Sequence, residues 1–356
     1  MGNRVIKMKI LVEVMHGMGD VVCALPMLKE IKTYYPESEL TVLVNKSEVV
    51  DIISCSDVNV EHFVCINSHI DKIKVLRQCL GLRKEKFDLA VACANTPVKK
   101  SKFLMGMIHA KRTFGIQYEY GRNYDQLNDK YHFVDAHVMA LDGMKIKKHG
   151  FLPRLNAREK DLGYFKQLFE KGDKVIVGIC IGRADVSYKN RKKRTGPVYT
   201  RGWGDLELHS KNMAAIIQKC LDIGWKVVML GGKAELGIRD KFSQEVIQSK
   251  DVFDLVGKTT IAESIAIVSL CDTVLGVDTG MQHIADAVGV PTVSIFGPTN
   301  PKTHGAFSDK ALFAEVKEPC RFCYGTFKYI SCNNRKCMTK ITPGQVFTLL
   351  QMAVNQ

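Results

Sequence analysis

The chain of 356 residues carries 51 Lys and Arg against 37 Asp and Glu, a net charge of +14, with 46% apolar residues and 12 Cys. That length favours two domains with full cores, and the apolar share excludes a disordered or collagen-like chain. The charge excess asks for an anionic partner: nucleic acid, a membrane surface or phosphorylated small molecules. Arg4, Lys7, Lys9 and Glu13 interrupt the first apolar segment and no apolar run reaches spanning length, so neither a secretory signal nor a membrane helix is expected. The compartment is then reducing and cytoplasmic, and the Cys are expected as thiols or metal ligands rather than disulfides.

Met8 to Val14 is a short apolar, β-branched run, followed by a Gly-containing turn and an apolar-periodic stretch from Val21 to Tyr35 that Pro36 ends. Strand, loop and helix follow from that pattern. Leu40 to Val44, His62 to Ile66 and Phe87 to Cys93 supply further strands, with a helix from Asp71 to Lys84 between the last two. The rhythm restarts after a basic region at 145–158: strand Lys174 to Ile181, helix Ser210 to Asp222, strand Lys226 to Leu230, helix Ala234 to Ser249. Strand Thr273 to Val277, helix Gly280 to Val288 and strand Thr292 to Phe296 complete it. Strands alternating with helices imply doubly wound parallel sheets, two Rossmann-like units in an α/β chain. The expected divisions are 1–157, 158–342 and a terminal helix within 343–356, the last packing back on the first domain. The charged helix Arg158 to Lys171 fits either side.

In open α/β sheets ligands collect beyond the carboxyl ends of strands. His16-Gly17-Met18-Gly19-Asp20 joins the first strand to the first helix there; Gly17 and Gly19 permit close approach to the backbone. Asp20 is open between two roles, an N-cap and a carboxylate facing the crevice. The turn is neither a phosphate-binding Gly-Lys-Ser/Thr loop nor a Gly-x-Gly-x-x-Gly, since Val22 stands where the last Gly would be. Val277-Asp278-Thr279-Gly280-Met281-Gln282-His283 repeats the plan in the second half, where the N–H groups of Thr279, Gly280 and Met281 at a helix start could take a diphosphate. A capping Asp278 and a half-buried, hydrogen-bonded His283 are the structural alternative.

Together these strings resemble glycosyltransferase family 9, the ADP-heptose:lipopolysaccharide heptosyltransferases. The N-terminal signature is Gly17-x-Gly19-Asp20, Val21-Val22 and Leu25-Pro26-Met27-Leu28. The C-terminal one runs from Asp278-Thr279-Gly280 through His283 to Pro291-Thr292 and Phe296-Gly297-Pro298-Thr299. The resemblance implies a GT-B fold, two Rossmann-like domains facing across a cleft, and inverting transfer of heptose from ADP-heptose to a lipopolysaccharide core or related glycan hydroxyl, with Asp20 as general base. It further implies donor contacts from Gly182, Arg201, Glu235, Thr259, Asp278, Thr279, Gly280, Met281 and His283. Glu235 would hold the ribose and Thr259 would lie beside the adenine. The family's short loop before its Trp is here long and basic, Lys189 to Arg194, with Arg201 ahead of Trp203 as the candidate phosphate ligand and Lys189 second. That loop can equally be a solvated surface run. No Asp-x-Asp occurs, so no metal-chelating donor site is expected and positive groups must stabilise the leaving ADP.

Four Cys crowd into one block, Cys320-x2-Cys323-x8-Cys332-x4-Cys337. The density suggests a structural zinc or iron, and the resemblance extends to autotransporter heptosyltransferases in which four such Cys hold iron. Two alternatives stand beside the main reading: the same fold with another nucleotide sugar or a protein acceptor, and a basic nucleic-acid-binding protein with a cysteine metal module. Dispersed basic residues and 8% aromatics argue against nucleic acid. Lys99, Lys100 and Lys102 in the first domain point instead to a peripheral position at the inner face of the inner membrane.

Overall fold

The computed structural model describes the chain apart from residues 1–6, 67–71, 128–129, 171, 183, 187–197, 201, 205, 325, 327, 330–331 and 333. Two compact units divide it, Met1–Asn156 and Ala157–Gln356.

The first unit is built on a parallel sheet of β1 (Lys9–Val14), β2 (Glu39–Val44), β3 (His62–Cys65), β4 (Leu89–Ala92) and β5 (Arg112–Phe114), in the order β3-β2-β1-β4-β5. Helices cover the sheet, so its middle strand is apolar on both faces: Ile10, Leu11, Val12 and Val14 are fully buried. The helix after β1 begins at Met18, one turn ahead of the periodic stretch, because Gly17 caps it. The end of the unit is tied to this helix by Glu30, a fully buried carboxylate that accepts the N–H groups of His149 and Gly150 at 2.6 and 3.1 Å and faces His149 Nδ1 at 2.8 Å. Strand β5 escapes the sequence pattern, being three residues with only Phe114 buried.

In the second unit the parallel sheet comprises β6 (Ile176–Cys180), β9 (Lys226–Leu230), β10 (Val252–Asp254), β11 (Thr273–Val277), β12 (Thr292–Ile295) and β13 (Ala311–Ala314), ordered β10-β9-β6-β11-β12-β13. A small antiparallel pair, β7 (Ala184–Val186) with β8 (Val198–Thr200), stands apart. Both large sheets change direction beside their first strand, and that is where a doubly wound sheet opens a crevice at its carboxyl edge.

One expected helix is corrected, and two helices fall in the second unit. The helix expected over Ala234 to Ser249 is a 3-10 turn, Lys233–Glu235, and two short helices, Leu236–Arg239 and Gln244–Gln248. Ser243 breaks it by capping the second, its side chain accepting the Val246 N–H. The charged helix, Glu159–Phe169, belongs to the second unit, where Phe165 and Phe169 enter the core beside Ile176. The terminal helix Pro343–Val354 falls in the second unit. Its buried Val346, Leu350 and Ala353 fill the second unit's core against Leu206–Asp222 and strands β11 to β13.

Candidate active site

In the first unit the glycine turn leaves β1 next to the end of β4. Gly17, extended at φ −72° and ψ 170°, is the N-cap; Asp20 is three residues on and accepts the Gly17 N–H at 2.9 Å. Asp20 is therefore the returning arm of a capping box, not the N-cap itself. Gly17 is exposed, and Gly19 and Asp20 are half-buried.

Beneath the turn lies a polar floor that the sequence reading missed. Glu13 is 1% exposed and accepts from the Met15 N–H at 3.0 Å, the Cys93 N–H at 3.3 Å and the Thr96 hydroxyl at 2.7 Å. His16 Nε2 stands 2.7 Å from the same Thr96 oxygen, which has its proton on Glu13 and so accepts from the ring. His137, fully buried, takes the Ala94 N–H on Nδ1 at 3.3 Å; burial, with the charges of His16 and His132, lowers its pKa to about 3. Burial and the charges of Glu13 and Asp20 push the Cys93 thiol well above its usual range. The one available sequence signal was Glu13, an acid inside an otherwise apolar strand.

The second unit assembles the C-terminal signature around the end of β11. Thr279, extended at φ −144° and ψ 164°, precedes the helix Gly280–Ala287 and makes no side-chain cap bond. Its Oγ1 is buried and has no hydrogen-bond partner among the described residues. The helix has no acidic residue in its first turn, and the leading N–H groups of any helix lack intrahelical acceptors. The positive end of the helix dipole therefore lies at this turn. The two ends of the signature meet: the Thr299 hydroxyl donates to Asp278 Oδ2 at 2.9 Å. Other members of the string hold the scaffold. Gln282, 2% exposed, accepts the Ser294 hydroxyl at 2.7 Å, and Asp286 accepts the Phe307 N–H at 2.6 Å. Met281 packs against the core, and His283 lies half-buried one turn into the helix.

Glu235 and Thr259 occupy adjoining turns at the ends of β9 and β10, joined by the Gly257 N–H donating to Gly231 O at 2.7 Å. Glu235 accepts the Gly232 N–H at 2.8 Å, and Thr259 Oγ1 lies 2.9 Å from Ser264 Oγ. Gly182, at the end of β6, has φ +100°, and a Cβ there would fall 2.6 Å from the ring of buried His209, so only glycine fits. Trp203 is buried and donates to Ile341 O at 2.5 Å. Lys189, Arg191, Lys192, Lys193, Arg194 and Arg201 lie outside the described residues.

The cysteine block folds onto this unit. Cys337 is buried, and burial with the nearby thiols of Cys323, Cys320 and Cys332 pushes its pKa up to about 11. Among the described residues no group of three or more His, Cys, Asp or Glu side chains is arranged to hold a metal ion. The block instead brings Tyr324, Tyr329 and Arg335 to a cleft lined by Asp278, Pro298 and Thr299.

The sequence and fold were compared with known proteins. Residues 209–331 match the model of glycosyltransferase family 9 (heptosyltransferase). Lipooligosaccharide heptosyltransferase 2 of Campylobacter jejuni is 24% identical over 345 residues, covering 95% of this chain and 96% of the relative. The enzyme of the same name from Haemophilus influenzae is 26% identical over 155 residues, 43% of this chain and 40% of that one. The structure of the E. coli ADP-heptose lipopolysaccharide heptosyltransferase II superposes with a TM-score of 0.69 at 20% identity, covering 98% of this chain and 99% of that one. With both signature turns in place on two Rossmann-like sheets, the chain is similar to glycosyltransferase family 9 in its second unit and shares the fold of these heptosyltransferases.

Proposed function

We propose that this glycosyltransferase moves a heptose from ADP-heptose to a hydroxyl of a lipopolysaccharide core sugar, with inversion and with Asp20 as general base. The observation that carries the donor half is the turn at Asp278: a helix terminus without an acid, a buried unpartnered Thr279 hydroxyl and an Asp278 carboxylate held by Thr299. A buried polar atom without a partner calls for a ligand, and a helix terminus of this kind favours a diphosphate. Glu235 and Thr259, on the turns that follow β9 and β10, would take the ribose and the base.

In the proposed displacement Asp20 takes the acceptor's O–H proton as the freed oxygen pair attacks the anomeric carbon. The bond from that carbon to the diphosphate oxygen breaks, and ADP leaves with the electron pair. The N–H groups of Thr279, Gly280 and Met281, with His283 and Arg201, stabilise the departing charge. The Gly17 N–H holds the Asp20 carboxylate at the carboxyl end of β1, the edge an acceptor reaches. Asp20→Asn keeps an acceptor for that N–H while removing the base. Heptose transfer is expected to fall about 100- to 10,000-fold, the usual worth of general base catalysis, with the melting temperature preserved; undiminished transfer would remove Asp20 from this role.

A further inference from the structure

The cysteine block docks on the turn that follows β12 at both of its ends. The Phe322 N–H donates to Gly297 O at 3.0 Å and the Tyr324 N–H to Pro298 O at 2.9 Å. From the other end Cys337 and Met338 close over Gly297, where a Cβ would fall 2.3 Å from the Met338 sulfur and 3.0 Å from the Cys337 sulfur. Between these anchors Arg335 lies half-buried with its guanidinium 5.5 Å from the centre of the Tyr329 ring, which in turn meets Tyr324 at 5.2 Å. Arg335, Tyr324 and Tyr329 share their cleft with Asp278 and Thr299.

We infer that the cysteine block carries a further donor ligand, Arg335, which binds the sugar-bearing phosphate of the nucleotide sugar; the inference rests on the nucleotide-sugar reading of the Asp278 turn. Asp278 immediately precedes the helix terminus assigned to the diphosphate, so an anion seated there lies within the same cleft. A guanidinium held over an aromatic ring loses little freedom on binding, and its fork of donors matches two phosphate oxygens. The tyrosine rings offer apolar faces suited to the faces of a sugar. On this account the block is retained as a wall of the donor cleft, whether or not its thiols ever meet a metal.

Calorimetric titration of the full chain with AMP, ADP and ADP-heptose tests this, because AMP lacks the phosphate that Arg335 reads. Loss of one charge-assisted contact should weaken ADP and ADP-heptose at least ~10-fold in Arg335→Gln while AMP changes less than about 2-fold. Arg335→Met, which still stacks on Tyr329, carries the same expectation if the Gln variant folds poorly. Wild-type affinity for ADP in both variants, or an equal loss for AMP, overturns the assignment of Arg335 alone. A wild-type chain that binds none of the three overturns the nucleotide-sugar reading and the assignment with it.

Discussion

The two signature turns are the same local device finished in opposite ways. Each leaves a strand at the point where its sheet reverses direction and opens a helix. In the first unit the helix brings its own acid: Asp20 closes on the Gly17 N–H, so the positive terminus is neutralised internally. In the second unit the cap position holds Thr279, which caps nothing, and no acid follows it in the first turn. On the function proposed above, the first terminus presents a carboxylate to the acceptor hydroxyl and the second takes the diphosphate. The lesson is that the proposed base and the proposed anion site differ by where a single acid is placed relative to a helix start.

The comparison breaks most severely at Asp20, where the Asn variant above is expected to cost the most in turnover. Next comes the reverse operation, supplying the second turn with the acid it lacks. Thr279→Asp should cap Gly280–Ala287 by itself and repel a diphosphate. ADP affinity is expected to fall by roughly 10- to 100-fold, the size of a lost or opposed charged contact, with ligand-free stability unchanged or raised. Unaltered ADP binding, read by calorimetry, would show that the diphosphate sits elsewhere.

How much of this was legible beforehand follows from what each feature depends on. The doubly wound plan showed in the alternation of β-branched runs such as KILVEV and KVVML with amphipathic stretches, because buried parallel strands are apolar on both faces. Short strands at 112–114, 252–254 and 311–314 did not show: three or four residues carry too little pattern, and tertiary pairing forms them. Asp20 and Asp278 were readable because their chemistry is local to one turn. The floor of Glu13, Thr96 and His137 was not, since its members are 41 to 124 residues apart and only the sheet brings them together. Arg335 was hidden for another reason: the density of thiols around it drew attention to a metal, whereas the block also docks on Gly297 and Pro298 in the turn after β12.

The floors of the two turns differ as well, and that difference predicts where acid acts. Under Asp20 lie a buried carboxylate and a buried neutral imidazole; under Thr279 the corresponding pair is Gln282 and Ser294, which do not titrate. His137 stays unprotonated in the fold down to about pH 3 against 6.5 for a free ring. Between those values the unfolded chain binds a proton that the folded one does not, so stability is lost as pH falls below about 6.5, by roughly 1.4 kcal/mol per unit at most. Hydrogen exchange read separately for each unit should show the first unit opening more readily from pH 6 to pH 4.5, with the dependence reduced in His137→Gln. An equal slope in that variant would place the sensitivity on other groups.

The smallest effect separates a threonine that caps from one that does not. Thr260 starts the helix Ile261–Ser269, accepting the Glu263 N–H at 3.2 Å while the Glu263 carboxylate returns to the Thr260 N–H at 2.7 Å. Thr260→Ala should therefore cost about 1 kcal/mol of stability. At Thr279 the hydroxyl makes no such bond, so Thr279→Ala in the ligand-free chain should stay within about 0.5 kcal/mol of wild type. Removing a buried unpartnered oxygen relieves a desolvation cost and can offset the lost packing. Urea titration of the two variants measures both. A Thr279→Ala penalty as large as that of Thr260→Ala would mean that this hydroxyl serves the fold after all, and the difference between the two helix starts would then be one of sequence only.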